Sequence, residues 1–182
     1  MKTNPRSFPL LAGICLGLAV SSAHAQPGTV PENSALNGSV QRVELKHADQ
    51  RFVEKAAKAG DEDAAISTIV AQETSNEDVR RLAREIASDH GKANGELAAL
   101  AESHNLQLPS PRDFDKWKKK DPKDLDRDYL KQMISDHKDA IKLYTHEVRD
   151  GGEPGIVQFA QNALPALQRH LERANELKNT IR

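Results

Sequence analysis

The chain has 182 residues and a formal net charge of −1, from 26 basic and 27 acidic side chains. Such a balance argues against nucleic acid as a partner, because nucleic-acid-binding domains carry a clear excess of Lys and Arg. The single cysteine, Cys15, excludes an internal disulfide.

The N-terminus has the pattern of an export signal. Lys2 and Arg6 precede an apolar run at 10–20, and the small residues Ala23 and Ala25 flank His24. This order predicts a signal peptide over 1–25, with a mature chain beginning at Gln26 and a periplasmic or secreted location, outer-membrane association being left open. Without the two signal cations the net charge is 24 − 27 = −3. The run is shorter than the roughly 20 residues that span a bilayer, and no later segment is more apolar, so no integral membrane segment is expected in the mature chain.

Residues 26–47 are rich in Pro, Gly, Ser and Asn, and we expect a flexible leader there. Residues 48–182 then show helical spacing of apolar side chains. The first predicted helix runs from an N-cap at Asp49 to about Glu73. The second follows a predicted cap at Ser75 and ends near His104.

The third predicted helix begins after Asp121 and Pro122 and stops at Gly151. Pro154 suits the first turn of a fourth, which carries Pro165 in its interior. Only 4% of residues are aromatic and no run alternates with period two, so a sheet is not expected. The pattern predicts an all-α, antiparallel four-helix bundle, either up-down or ferritin-like. The two topologies differ in whether the connection of roughly 17 residues between helices 2 and 3 runs the length of the bundle.

Polar side chains interrupt the apolar stripes near the middle of every predicted helix. The segments "IASDHGKANGEL" and "MISDHKDAIKLY" both place Asp-His where a core residue is due, at Asp89-His90 and Asp136-His137. Asp63 and His170 lie at core spacing near the midpoints of the other two helices. Because the midpoints of antiparallel helices share a level, these side chains are predicted to meet in one layer.

This layer predicts a metal site, with Asp63, His90, His137 and His170 as ligands and with Asp89 and Asp136 supporting the imidazoles from outside. Imidazole with carboxylate suits Fe, Mn, Zn or Cu. The alternative is a satisfied buried network that only fixes helix register. A pH-responsive module is a third reading, because buried histidines with aspartate partners titrate at displaced pH.

The sequence contains no Gly-rich phosphate loop, no Gly-x-Ser-x-Gly elbow and no His-Glu-x-x-His motif. It therefore indicates no nucleotide chemistry, hydrolysis or zincin activity, and we assign no catalytic residue. The partner protein is left unassigned, and both a monomer and a homodimer are compatible with the sequence.

Four ordered blocks, "FVEKAAKAGDEDA", "VRRLAREIASDHGKANGELAALA", "LDRDYLKQMISDHKDAIKLY" and "ALPALQRHL", resemble the bacterial exported proteins grouped as domain of unknown function 4142. The resemblance implies a ferritin-like four-helix fold and an envelope location, with a role in stress or metal handling. Members of that family usually have a glutamate where this chain has Asp63. The ferritin-type Glu-x-x-His pairs are absent, because Ala87, Ile134 and Leu167 stand three residues before the histidines.

Two functions follow as expectations. The first is an exported ferritin-like protein that binds a transition metal at the mid-bundle layer, with a role in metal handling or envelope stress protection. The second is a non-catalytic periplasmic structural or interaction protein in which the same layer only fixes the fold.

Overall fold

The computed structural model describes residues 45–110 and 113–181, so the predicted signal peptide and nearly all of the predicted leader lie outside the described residues. Four long helices make up most of the described chain, and no strand occurs in these two ranges. The all-α prediction is confirmed. None of the helices in the described ranges is long and apolar enough to cross a membrane. The helices are α1 (His47–Glu73), α2 (Glu77–Ser103), α3 (Pro122–Asp150) and α4 (Pro154–Thr180).

Helix directions follow from the contacts between neighbours. Ser67 of α1 hydrogen-bonds Tyr129 of α3, whereas Phe52, earlier in α1, packs on Tyr144, later in α3. Helices α1 and α3 are therefore antiparallel, as are the hairpins α1–α2 and α3–α4. It follows that α2 and α3 run parallel to each other at opposite corners of the bundle.

The connection from residue 104 to residue 121 must then return along the whole bundle, since α3 starts at the end where α2 also starts. A short 3-10 helix (Asp115–Trp117) lies in this connection, and Trp117 packs on Tyr129 near the start of α3. One long crossover between two helical hairpins is the ferritin-like arrangement. Of the two topologies left open by the sequence, the structure has the ferritin-like one.

Two predicted caps are wrong. The first helix begins at His47, two residues before Asp49, and α2 is capped by Asn76 rather than Ser75. The Asn76 side chain accepts hydrogen bonds from the backbone N–H groups of Asp78 and Val79, at 2.9 and 3.2 Å. Pro154 lies in the first turn of α4, as expected. Helix α3 was predicted to begin after Pro122, but it begins at Pro122 and is capped by Asp121. Helix α4 continues through Pro165.

Asp49 has a long-range role instead of a local cap. Its carboxylate is buried and accepts hydrogen bonds from the backbone N–H groups of Gly152 and Glu153, both at 3.0 Å. Glu147 lies beside it, only 2% exposed. Burial, and then the charge of Asp49, raise the pKa of Glu147 to about 7. These two carboxyl groups tie the start of α1 to the turn between α3 and α4.

The core consists of two apolar clusters stacked along the bundle. One contains Trp117, Tyr129 and Met133 at the end where the crossover arrives, and the other contains Phe52, Tyr144 and Phe159 at the opposite end. The aromatic rings of the second cluster contact one another edge to face or at a tilt, with centroids 5.0–6.4 Å apart. The helix midpoints lie between the two clusters.

Glu147→Gln should change how stability depends on pH. A carboxyl group with a raised folded-state pKa stabilises the fold below its unfolded pKa and loses that contribution as pH rises through the folded value. Relative to Glu147→Gln, the parent should therefore lose up to roughly 3 kcal/mol of unfolding free energy between pH 4.5 and pH 8. Urea unfolding across this range measures the difference. Parallel curves for parent and variant would contradict the assignment.

Gly95→Ala should stabilise the protein by about 0.5–1 kcal/mol. Gly95 is exposed inside α2, and an added Cβ would meet nothing within 4 Å. Gly60→Ala is the matched comparison and should destabilise, because its Cβ would overlap the Asn94 amide oxygen on α2. Chemical denaturation of the two variants decides; stabilisation by both would show that the Asn94 side chain moves aside without cost.

Candidate metal centre

The structure brings the four predicted ligands together between the two apolar clusters. Asp63 comes from α1, His90 from α2, His137 from α3 and His170 from α4, so each helix contributes one side chain. All four are buried, with exposed fractions of 2%, 8%, 0% and 1% in that order. The level predicted from helix midpoints is the level at which they meet.

The three imidazoles turn ring nitrogens toward a common point. His137 Nε2 lies 3.4 Å from His90 Nε2 and 3.2 Å from His170 Nδ1. The ring centroids are 5.3–5.8 Å apart. One nitrogen of each ring can therefore serve the same ion, and these three nitrogens lie within 4.8 Å of one another.

A backbone contact fixes the tautomer of the central imidazole. His137 Nδ1 lies 3.0 Å from the carbonyl oxygen of Met133, one turn earlier in α3. A carbonyl can only accept, so Nδ1 carries the proton and Nε2 presents a lone pair to the other two rings. A ligating histidine is commonly oriented by such a hydrogen bond from its second nitrogen.

Burial keeps the imidazoles neutral. Desolvation lowers the pKa of His90 to about 4 and that of His137 to about 3, and a neighbouring imidazole adds to each shift. Desolvation, and then His137, also lower the pKa of His170 to about 4, against the opposing charge of Asp89. At neutral pH all three rings have lone pairs available, which is the form that binds metal.

Asp63 lies beside the imidazoles. Its Oδ2 is 3.7 Å from His137 Nδ1 and 4.0 Å from His90 Nε2. Burial, and then the Asp136 carboxylate, raise the pKa of Asp63 well above its ordinary range. These surroundings therefore favour the neutral form of Asp63.

The two flanking aspartates have different neighbours. Asp89 Oδ2 lies 3.3 Å from His170 Nε2. Asp136 does not reach an imidazole: it hydrogen-bonds Asp63 and accepts from the Gln132 amide at 2.8 and 3.0 Å. Both aspartates were expected to lie beside an imidazole, and only Asp89 does. Asp136 is turned toward α1, where the layer contains a carboxyl group instead of a ring.

A cleft of about 350 Å³ between α1 and α3 leads to this layer. Four carboxylic side chains line it, together with Lys55: Glu62, Asp63, Asp136 and Asp139. Acidic side chains outnumber the single cation in this lining, and an excess of one sign of charge raises the local concentration of ions of the opposite sign. Cations are therefore favoured along the side on which Asp63 reaches the imidazoles.

The donor geometry fits a metal ion. Imidazole nitrogens bind transition metals at roughly 2.0–2.1 Å, so two nitrogens on one trigonal or tetrahedral ion are separated by roughly 3.3–3.6 Å. The observed separations from His137 Nε2 to the other two nitrogens, 3.2 and 3.4 Å, are close to this range. Only one of these two nitrogens can donate a hydrogen bond to the single lone pair of His137 Nε2.

The family pattern of DUF4142, a domain of unknown function, matches residues 35–177. The chain belongs to the DUF4142 family. The resemblance found in the four sequence blocks is confirmed. Among curated proteins, none matches this sequence.

Solved structures with the same fold include two kinds of protein. A DUF305 fragment from Deinococcus radiodurans superimposes with a TM-score of 0.67 at 11% identity, covering 75% of this chain and 99% of that one. CopM in its Cu(I)-bound form gives a TM-score of 0.64 at 17% identity, covering 72% and 96%. CopM in an Ag-bound form gives 0.63 at 16%, with the same coverage. At these identities the likeness shows the helical-bundle fold.

Two features of the centre were missed by the sequence analysis. The Met133 carbonyl fixes the His137 tautomer, and Glu85 Oε1 lies 3.9 Å from His170 Nε2. Met133 is one helical turn before His137, so the first feature could have been found from spacing. Glu85 has no comparable signal, because it lies among exposed charged positions of α2 and becomes a neighbour of His170 only through the packing of α4.

His90→Ala and His137→Ala should be non-additive. Each change leaves partners of the layer unsatisfied and should cost about 1–3 kcal/mol, while the double variant should cost less than the sum by at least about 0.5 kcal/mol. His47→Ala and His146→Ala, which change exposed histidines, should each cost under about 0.5 kcal/mol. Urea unfolding of the singles and the double provides the test. Additive losses would mean that the two rings do not act as one unit.

Proposed function

We propose that the protein is an exported metal-binding protein whose central layer holds a copper ion through His90 Nε2, His137 Nε2 and His170 Nδ1. The observation that carries this proposal is the inward lone pair of His137, held by the Met133 carbonyl 3.2 and 3.4 Å from two further ring nitrogens. Asp63 lies close by as a fourth, near-neutral group.

The donor set favours copper among the candidate metals Fe, Mn, Zn and Cu. Affinity of nitrogen sites for divalent first-row ions rises to a maximum at copper, whereas manganese prefers carboxylates and water. A di-iron centre of ferritin type needs several glutamates, which this layer lacks. CopM, which shares the fold, is known in Cu(I)-bound and Ag-bound forms. Bound copper would supply one-electron redox chemistry, and no described residue indicates a substrate for it.

Each residue of the centre has a separate task in this proposal. His137 is the preoriented ligand, because its tautomer is fixed before any ion binds. Asp89 lies 3.3 Å from the outer nitrogen of His170, and Asp136 hydrogen-bonds Asp63. The acidic cleft between α1 and α3 concentrates cations and supplies a route to the layer.

The export part of the proposal rests on the N-terminal signal pattern and places the mature protein, from Gln26, in the bacterial envelope. A buried copper site in that compartment points to metal handling or protection from metal stress. The absence of Cys from residues 26–182 makes the three imidazoles the strongest nitrogen or sulfur donor group in the described chain.

The experiment starts from untagged protein isolated from the envelope fraction, whose intact mass should correspond to a chain beginning at Gln26. Titration with Cu(I), and separately with Cu(II), against chromophoric chelators should give one tight site per chain. At a free concentration about a hundred times Kd, Cu(I) should raise the unfolding free energy by roughly 2.7 kcal/mol. His137→Gln should abolish the site, and His146→Gln, an exposed change in the same helix, should leave it intact.

The competing function is structural, with the layer acting only to fix helix register. It predicts that neither copper nor Zn, Fe or Mn binds stoichiometrically or raises the melting temperature. That result, in parent protein shown to be folded, would overturn the proposal and favour the structural role.

A further inference from the structure

The outer nitrogen of His170 has an unusual environment. His170 is almost wholly buried, and within the described residues its Nε2 has no hydrogen-bond partner. Asp89 Oδ2 lies 3.3 Å away but outside hydrogen-bond geometry, and Glu85 Oε1 lies 3.9 Å away. An unsatisfied nitrogen thus faces two carboxylates of α2.

The hydrogen bonding of the inner ring nitrogen, His170 Nδ1, accounts for the unsatisfied Nε2. His137 Nε2 presents a lone pair, because its Nδ1 proton is given to the Met133 carbonyl. His170 Nδ1, 3.2 Å from that lone pair, is then a suitable donor. A neutral imidazole has one N–H, so in the tautomer in which His170 Nδ1 donates, Nε2 is left with its own lone pair directed at carboxylate oxygens. Such an arrangement is repulsive unless a cation lies between the groups.

The carboxylate side of this group is accessible from solvent. The side chain of Glu85 is half exposed and that of Asp89 partly exposed, at 49% and 29%. One oxygen from each carboxylate and one nitrogen of His170 lie within 4.8 Å of one another.

We propose that Glu85, Asp89 and His170 Nε2 form a second, outer metal site for a divalent transition ion such as Zn²⁺. Two carboxylate oxygens and one imidazole are a donor set that Zn²⁺ accepts, with water completing the shell. The site differs from the central one in charge, since it adds two carboxylates to a single ring. It does not require the proposed copper function to be correct.

The two sites share His170 and should therefore compete. An ion at the central site takes Nδ1 and places the His170 proton on Nε2, facing Asp89. An ion at the outer site takes Nε2 and places the proton on Nδ1, facing His137. Moving from one state to the other transfers one proton between the two nitrogens of the same ring, with no change in total protonation. Occupation of the central site thus weakens the outer one.

Two cations near Asp89 oppose the outer ion. Arg169 lies 3.6 Å and Lys92 3.9 Å from the Asp89 carboxylate oxygens. Both side chains are more than half exposed, at 57% and 74%, and can turn away into solvent. Since exposed ion pairs are weak, Arg169→Gln should tighten binding of Zn²⁺ only roughly two- to fivefold.

The test is calorimetric titration of the full mature chain with ZnCl₂ in a non-coordinating buffer. Glu85→Gln should weaken binding of Zn²⁺ roughly tenfold or more. Glu96→Gln is the matched control: it is an exposed glutamate on the same helix, three turns further along, and should leave the affinity unchanged. His90→Gln, which removes a central ligand only, should retain the Zn²⁺ site. Parent protein preloaded with Cu(I) should bind Zn²⁺ more weakly.

The outcomes separate this site from the central one. If Zn²⁺ binding is lost in His90→Gln and unchanged in Glu85→Gln, the ion occupies the central layer and the outer site is wrong. Absence of Zn²⁺ binding to folded parent protein also overturns it. Zn²⁺ binding that depends on Glu85, with no binding of Cu(I), would uphold the outer site while refuting the copper function. Should His90→Gln fail to fold, the comparison of Glu85→Gln with Glu96→Gln decides alone.

Discussion

The hydrogen bond from His137 Nδ1 to the Met133 carbonyl is the constraint on which the centre of this bundle depends. It places the proton of the buried His137 ring on Nδ1, through the backbone of its own helix. The other ring nitrogen, Nε2, must then carry a lone pair. Two more imidazoles then stand around one acceptor, and only one of them can donate to it. Tautomer exchange and the proposed metal binding both follow from this imbalance between one acceptor lone pair and two possible donors.

The position of the layer determines how costly the imbalance is. Apolar clusters cover it at both ends of the bundle, which makes a missing polar partner costly. The same burial favours the neutral forms of the rings and of Asp63. What remains is a nearly neutral group of nitrogen donors in a stable helical scaffold, with carboxylates kept toward the two grooves at its sides. This separation of neutral donors from charged ones is the main chemical organisation of the protein.

Much of this organisation can be predicted from the local sequence. Apolar spacing was enough to delimit four helices, and counting residues to each midpoint was enough to bring Asp63, His90, His137 and His170 to one level. The failures have a common physical cause. In the local sequence, Asp49 has the features of a helix N-cap. Its hydrogen-bond partners lie 103 and 104 residues away, so no local pattern predicts them. The neighbour of Asp136 depends on whether α3 runs parallel to α2, and the direction of a long crossover is decided by packing of the whole bundle.

That crossover also gives the centre an approximate twofold axis along the bundle. Because α2 and α3 are parallel and lie at opposite corners, their matching Ser-Asp-His segments are related by a half-turn, which also exchanges α1 with α4. Under this operation Asp89 facing His170 becomes Asp136 facing Asp63, the pairing that is observed. Within the layer the pseudo-symmetry is broken where α1 has a carboxyl group, Asp63, and α4 an imidazole, His170. On one side of the layer an aspartate therefore faces an imidazole nitrogen, while on the other an aspartate faces a second carboxyl group, so the half-turn relates two chemically different pairs built on one backbone pattern.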